Sequence, residues 1–137
     1  MSEAKRSLQL WRLLTRVRGL RVERKRRALA DAQQEARAAA DEAERCRAAL
    51  REHETQRARL LQACDHGERA GQLWREALRW HDARKDAQLR ALAGAMQRQR
   101  AAAAHVAQAS ASLQREIAGQ KDAQQRSRKL NAALRDD

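Results

Sequence analysis

Four histidines and two cysteines are the side chains that would carry nucleophilic or metal chemistry: His53, His66, His81, His105, Cys46 and Cys64. Their spacing matches no ligand repeat. Cys64 and His66 form a Cys-x-His pair, but a structural zinc site takes four ligands, and the other histidines are scattered along the chain. They read as fillers of a helical seam and as turn residues. No Gly-rich phosphate loop, paired-carboxylate constellation or nucleophile triad is present. The sequence therefore predicts no enzyme, no metal and no cofactor. Cys46 and Cys64 stand 18 residues apart on one helical seam, too far to bond to each other, which points to a reducing compartment.

The tryptophans offer packing or recognition rather than catalysis. Trp74 and Trp80 are six residues apart, which leaves the indoles roughly 120° apart around a helix. One can pack across onto Leu60 or Leu61 and the other stays exposed. Either both clamp the chain reversal, or one anchors a partner, since exposed Trp is enriched at binding hot spots. Trp11 is a further candidate anchor.

The composition is that of long helices. The chain has 137 residues, no Pro, Phe or Tyr, and five Gly; 35% of it is charged and 2% aromatic. Ala, Arg, Gln, Glu and Leu dominate, all strong helix formers. Most of the apolar content is Ala, which buries too little area for a thick globular core. Only one stretch, Cys64-Asp65-His66-Gly67-Glu68-Arg69-Ala70-Gly71, carries clustered glycines, and it lies near the midpoint as a helix break. Gly19, Gly94 and Gly119 are isolated and are expected only to weaken their helices locally.

Each flanking segment alternates apolar spacings of three and four, the coiled-coil signature. In the first, the seam reads Leu29, Ala32, Ala36, Ala39, Ala43, Cys46, Leu50, His53, Arg57, Leu60 and Cys64. In the second it reads Leu89, Leu92, Met96, Gln99, Ala103, Val106, Ser110, Leu113, Ile117, Gln120, Gln124, Ser127, Asn131 and Leu134. Leu10, Leu13, Leu14, Val17 and Leu20 do not continue the Leu29 register, which predicts a stutter near residues 21–28.

The expected fold is all-α: one long antiparallel two-helix coiled-coil hairpin over residues 1–137. Helix one covers about 6–65, the turn about 66–71 and helix two about 72–134. Folding back at the turn sets Ala36–Ala43 against roughly residues 94–104 and brings the Leu-rich start near Ile117–Leu130. Arms of about 60 residues give a rod on the order of 90 Å. The competing arrangement is one continuous helix that dimerises in trans.

The net charge of +12 is uneven. Residues 1–27 hold Lys5, Arg6, Arg12, Arg16, Arg18, Arg21, Arg24, Lys25, Arg26 and Arg27 against Glu3 and Glu23. Lys121, Arg126, Arg128 and Lys129 make the end of the second arm basic as well. A charge run is usually a solvated face. Here a Leu-rich stripe lies in the same stretch, which favours an acidic partner gripping that end. No apolar run reaches membrane-spanning length. Arg12, Arg16 and Arg18 interrupt what would be a signal-peptide core. The stretch has the Arg-rich amphipathic look of a mitochondrial transit peptide, but its unbroken helical pattern assigns it to the rod.

A basic Leu-rich first helix, a midpoint turn and a long amphipathic second helix, together with the run Gly71, Trp74, Trp80 and Ala87, resemble the central-stalk family of type III secretion. This is the FliJ/YscO group with its Hrp counterparts. The likeness covers nearly the whole chain. The family's second helix opens with a G…W…F…A run; Trp80 stands in place of the Phe, Arg84 in place of a Leu, and the family's tyrosines are missing. The resemblance implies a non-enzymatic cytoplasmic stalk, peripheral to the inner-membrane secretion apparatus. It implies that the paired termini bind a hexameric secretion ATPase and promote its assembly or activity, through Leu10, Trp11, Arg12, Leu13, Leu14, Val17, Arg18, Leu20 and Arg21. It implies an export-gate protein as second partner, contacted by Trp74, Trp80 and Ala87, and a role in escorting secretion chaperones. Two rival readings remain open: a basic hairpin binding nucleic acid or ribosome, and a generic dimeric scaffold. The excess of Arg suits phosphate contacts, but no aromatic stacking platform accompanies it. Only weak, salt-sensitive and sequence-blind nucleic-acid binding is expected.

Overall fold

The computed structural model describes residues 2–63 and 71–136. Two long helices account for these residues: α1 (Glu3–Ala63) and α2 (Gly71–Asp136). They pack against each other as an antiparallel hairpin, with no strand among the described residues. The expected turn, with Cys64 and His66, lies almost wholly outside the described residues.

Helix α1 starts at Ser2, whose Oγ accepts a hydrogen bond from the Lys5 amide while its carbonyl accepts one from Arg6. This is an N-cap, and Glu3 in the first turn suits the positive end of the helix dipole. Without a proline, nothing interrupts the backbone ladder. Thr15 and Thr55 donate their hydroxyls back to the carbonyls of Trp11 and Arg51 four residues earlier. Even these poor helix formers are thereby accommodated.

The described chain divides into two compact units. Met1–Gln34 with Ala104–Asp137 form the terminal unit, and Glu35–Ala103 the central unit. In the central unit the helices are tied by Arg98 to Glu42 at 2.6 Å, Arg57 to Asp82 at 3.2 Å and Lys85 to Glu54 at 3.7 Å. Such exposed pairs contribute little to stability, but they select the antiparallel register. In the terminal unit, Arg12 donates to Asn131, and the Arg126 guanidinium lies 4.9 Å from the centre of the Trp11 ring. The Leu-rich start thus lies beside the last turns of α2, as the fold-back predicted.

The core is thin and made largely of alanine. Ala43, Ala95 and Ala123 have no exposed surface and Ala32 almost none. From Leu29 to Leu60 every seam position expected for α1 is buried or half-buried. The expected stutter is absent. The same three-four spacing runs back through Lys25, Val22, Arg18, Thr15, Trp11 and Leu8, all buried or half-buried within an unbroken helix. The stutter was inferred by assigning the large leucines to the seam. The seam instead uses Leu8 and Val22, with Arg18 and Lys25 half-buried on the same line.

The α2 seam also needs correction. Leu92, Gln99, Val106, Leu113, Gln120, Ser127 and Leu134 are buried or half-buried as expected. Of the alternate positions, Met96, Ser110, Ile117, Gln124 and Asn131 are half-buried as expected, whereas Leu89 and Ala103 are exposed; the residues one place earlier, Gln88, Ala95, Ala102, Ala109, Glu116, Ala123 and Leu130, are buried or half-buried as well. At Ala95 and Ala123, which have no exposed surface, a methyl group lets the two helices meet at close range while the longer neighbours Met96 and Gln124 stay half-buried at the edge of the contact.

Gly19 and Gly119 do more than weaken their helices. A side chain at Gly19 would press on the Gln120 amide at 3.1 Å, and one at Gly119 would run into the Arg18 guanidinium. Each glycine makes room for a side chain arriving from the opposite helix.

Candidate functional site

Two outward apolar faces emerge from this packing. In the terminal unit Leu10, Leu13, Leu14, Val17 and Leu20 are all exposed, Leu10 and Leu20 by more than 60%. At 100° per residue they occupy an arc of about 120°, centred about 140° from the arc that carries Leu8, Trp11, Thr15, Arg18 and Val22. The face therefore points away from α2 because the α1 seam never shifts register. Arg6 and Arg24, both exposed, close its two ends, and exposed Arg21 stands within it.

The residues expected to act together at this end are thus divided. Leu10, Leu13, Leu14, Val17, Leu20 and Arg21 share the outward side. Trp11 and Arg18 are half-buried on the seam, and Arg12 is exposed but reaches across to Asn131. Trp11 is already occupied, stacked under Arg126.

In the central unit the two tryptophans separate as their spacing requires. Trp74 is half-buried on the α1-facing arc, whereas Trp80 is 57% exposed. Trp80 carries the Arg84 guanidinium over its ring at 5.1 Å and meets His81 edge-on. Arg84 therefore has a local role, covering one indole. Ala87 is exposed and lies on the same line as Trp80, one heptad on. One heptad before Trp80 is Leu73, 72% exposed, which the sequence reading did not single out. Its seven-residue spacing from Trp80 was the available signal. The second face is therefore Leu73, Trp80 and Ala87, without Trp74.

Among the described residues, no group of three or more His, Cys, Asp or Glu side chains is placed to hold a metal ion. Cys46 is a free, half-buried thiol. The recesses between the helices are open grooves, such as the one of about 160 Å³ lined by Ala49, Glu52, His53, Gln56, Arg84 and Gln88. Neither helix is long and apolar enough over its described residues to cross a membrane. Among the described residues, Glu44 is the ionisable group with a perturbed pKa. Hydrogen bonding from Arg51 at 2.8 Å, with the charges of Arg51 and Arg47, holds its carboxyl below the usual range.

No family model, no curated protein and no solved structure matches this chain.

Proposed function

We propose that this chain is a non-enzymatic docking hairpin that serves as the central stalk of a type III protein export apparatus. In this reading the Leu10–Leu20 face binds the hexameric export ATPase and promotes its assembly or activity, the Leu73–Trp80–Ala87 face meets the export gate, and the protein acts on the cytoplasmic side. Escort of secretion chaperones belongs to the same role.

The observation that carries the docking part is the outward Leu10, Leu13, Leu14, Val17 and Leu20 face. Soluble surfaces rarely assemble so many large aliphatic side chains on one continuous stripe without a partner. Its arginines suit an acidic rim on that partner. The choice of apparatus is supported by the resemblance of Gly71, Trp74, Trp80 and Ala87 to the stalk family's second-helix run, and by the exposure of Trp80 and Ala87.

The test is capture of a purified export ATPase by the full chain, with hexamer formation and ATP turnover as readouts. L13D/V17D should lose both effects while its circular dichroism and melting temperature stay close to wild type, because both side chains are exposed. A double variant that captures and stimulates the ATPase like wild type refutes the assignment of this face. Tight nucleic-acid binding that survives high salt would replace the whole reading with the nucleic-acid one.

A further inference from the structure

The least expected feature of the central unit is a pair of histidines facing each other across the seam. His53 on α1 and His81 on α2 are 2% and 7% exposed, with ring centroids 4.8 Å apart. His53 Nε2 and His81 Nδ1 are both buried without a hydrogen-bonding group of the protein to meet them, and so is Gln88 Oε1. Buried polar atoms are normally satisfied, and each exception calls for a reason. Here three occur in one neighbourhood, since His53 and Gln88 line the same open groove together with Glu52.

We propose that His53 and His81 form a two-imidazole site for a divalent transition metal of the imidazole-preferring class, such as Zn²⁺, which ties α1 to α2 within the central unit. A ligating imidazole nitrogen lies about 2.0–2.1 Å from zinc, which puts each ring centroid about 3.2 Å from the ion. Centroids 4.8 Å apart then subtend roughly 100° at the metal, within the range of tetrahedral and octahedral ligand angles. The Gln88 amide oxygen, also unmet and lining the groove with His53, is the candidate for a third donor. Of the neighbouring cations, Arg57 is paired with Asp82 and Lys85 with Glu54, while Arg84, over the Trp80 ring, lines the groove and opposes the ion. Glu52 adds a carboxylate to the wall of the groove. Imidazole nitrogens select Zn²⁺, Ni²⁺ or Cu²⁺ over Mg²⁺ or Ca²⁺, which prefer oxygen.

The experiment uses the full chain, stripped with chelator, and Zn²⁺ alone as the probe. Titration calorimetry should show one ion per chain, and the melting temperature should rise saturably. At free Zn²⁺ one hundred-fold above Kd, linkage lowers the unfolding constant about 100-fold. H53L and H81L should each lose this response. Both should melt in chelator at or above the wild-type temperature, because each removes a buried polar ring with an unmet nitrogen. H105Q should keep the response, and Mg²⁺ should evoke none. Imidazole NMR on the wild-type chain provides a readout independent of the folding of any variant: Zn²⁺ should move the His53 and His81 resonances and leave His105 in place. Absence of a saturable response, a response undiminished in H53L, or one confined to His66 overturns the proposal.

Discussion

Replacing Ala95 and Ala103 separately by Leu tests the packing most directly, because the two sites exchange roles between the sequence pattern and the structure. Ala95 has no exposed surface, while Ala103, a seam position by spacing, is exposed. At Ala95 three added carbons would gain up to about 2.4 kcal/mol from burial if room existed. Room does not exist where the contact is made of methyl groups. The helices must part locally or the new side chain must leave its rotamer well, at a cost of about 1–3 kcal/mol. Parting also opens the contacts of the other fully buried alanine in this unit, Ala43, which removes most of the gain. The net expectation is a loss of about 1–3 kcal/mol. At roughly 4 °C per kcal/mol for a chain of this size, A95L should melt about 4–12 °C lower. A103L should stay within about 0.5 kcal/mol of wild type, since Leu and Ala are both strong helix formers and the site is exposed. The assay is thermal unfolding followed by circular dichroism at fixed protein concentration. An A103L variant that falls as far as A95L would refute the alanine seam.

Three further expectations follow from single sites. Gly94 has only the flexible end of Arg98 near the position a side chain would take, at 3.4 Å, so G94A should raise stability by about 0.8–1 kcal/mol through helix propensity, read as a higher urea midpoint. Glu44 has its carboxyl lowered by the Arg51 hydrogen bond. Its contribution to stability is therefore present above the ordinary carboxylate pKa and lost as pH falls through the lowered one, and R51Q should return its NMR titration midpoint upward, whereas an unmoved midpoint would show that Arg51 is not the cause. Binding of an acidic protein partner through the Leu10–Leu20 face should weaken markedly between low and physiological salt, measured as a falling association rate, because Arg6, Arg21 and Arg24 border that face.

The hairpin and most of the α1 seam were legible because a three-four spacing needs only residue types. From Leu29 to Leu60 the seam positions carry Ala, Leu, Cys or His except at Arg57, and all are buried or half-buried. The same logic failed where size and position disagreed. In the first turns of α1 most leucines, all but Leu8, lie off the seam, and a reading that assigns leucine to the core must invent a shift to include them. In α2 the pattern put Leu89 and Ala103 on the contact line, yet both are exposed, whereas Ala95 and Ala123, which it left off, have no exposed surface. Hydrophobicity scales measure transfer from water and carry no information on how near two backbones come. The glycines were misjudged for a related reason. Gly19 and Gly119 matter through Gln120 and Arg18 on the other helix, partners about a hundred residues away that no local window contains. The His53–His81 pair was out of reach too, since it needs the register as well as the fold-back.

The alanine seam and the exposed leucines are two sides of one arrangement. A coiled coil that packs through Ala leaves its large aliphatic side chains without work inside, and in the first turns of α1 they collect on the side facing away from α2. That face is not strong enough to hold a partner by itself. Full burial of a Leu or Val is worth about 1.5–3 kcal/mol, and these side chains are 38–64% exposed, so a partner that covers all five recovers roughly 4–7 kcal/mol. Lost translational and rotational freedom alone costs that much or more. The remainder has to come from charge, which is where the arginines at its ends and within it enter. Aliphatic contact fixes the docked position, and the basic surround raises the rate of encounter with an acidic surface. A reversible, salt-tuned contact of this kind is what the proposed stalk role requires, and it differs from the large apolar interface of a permanent scaffold.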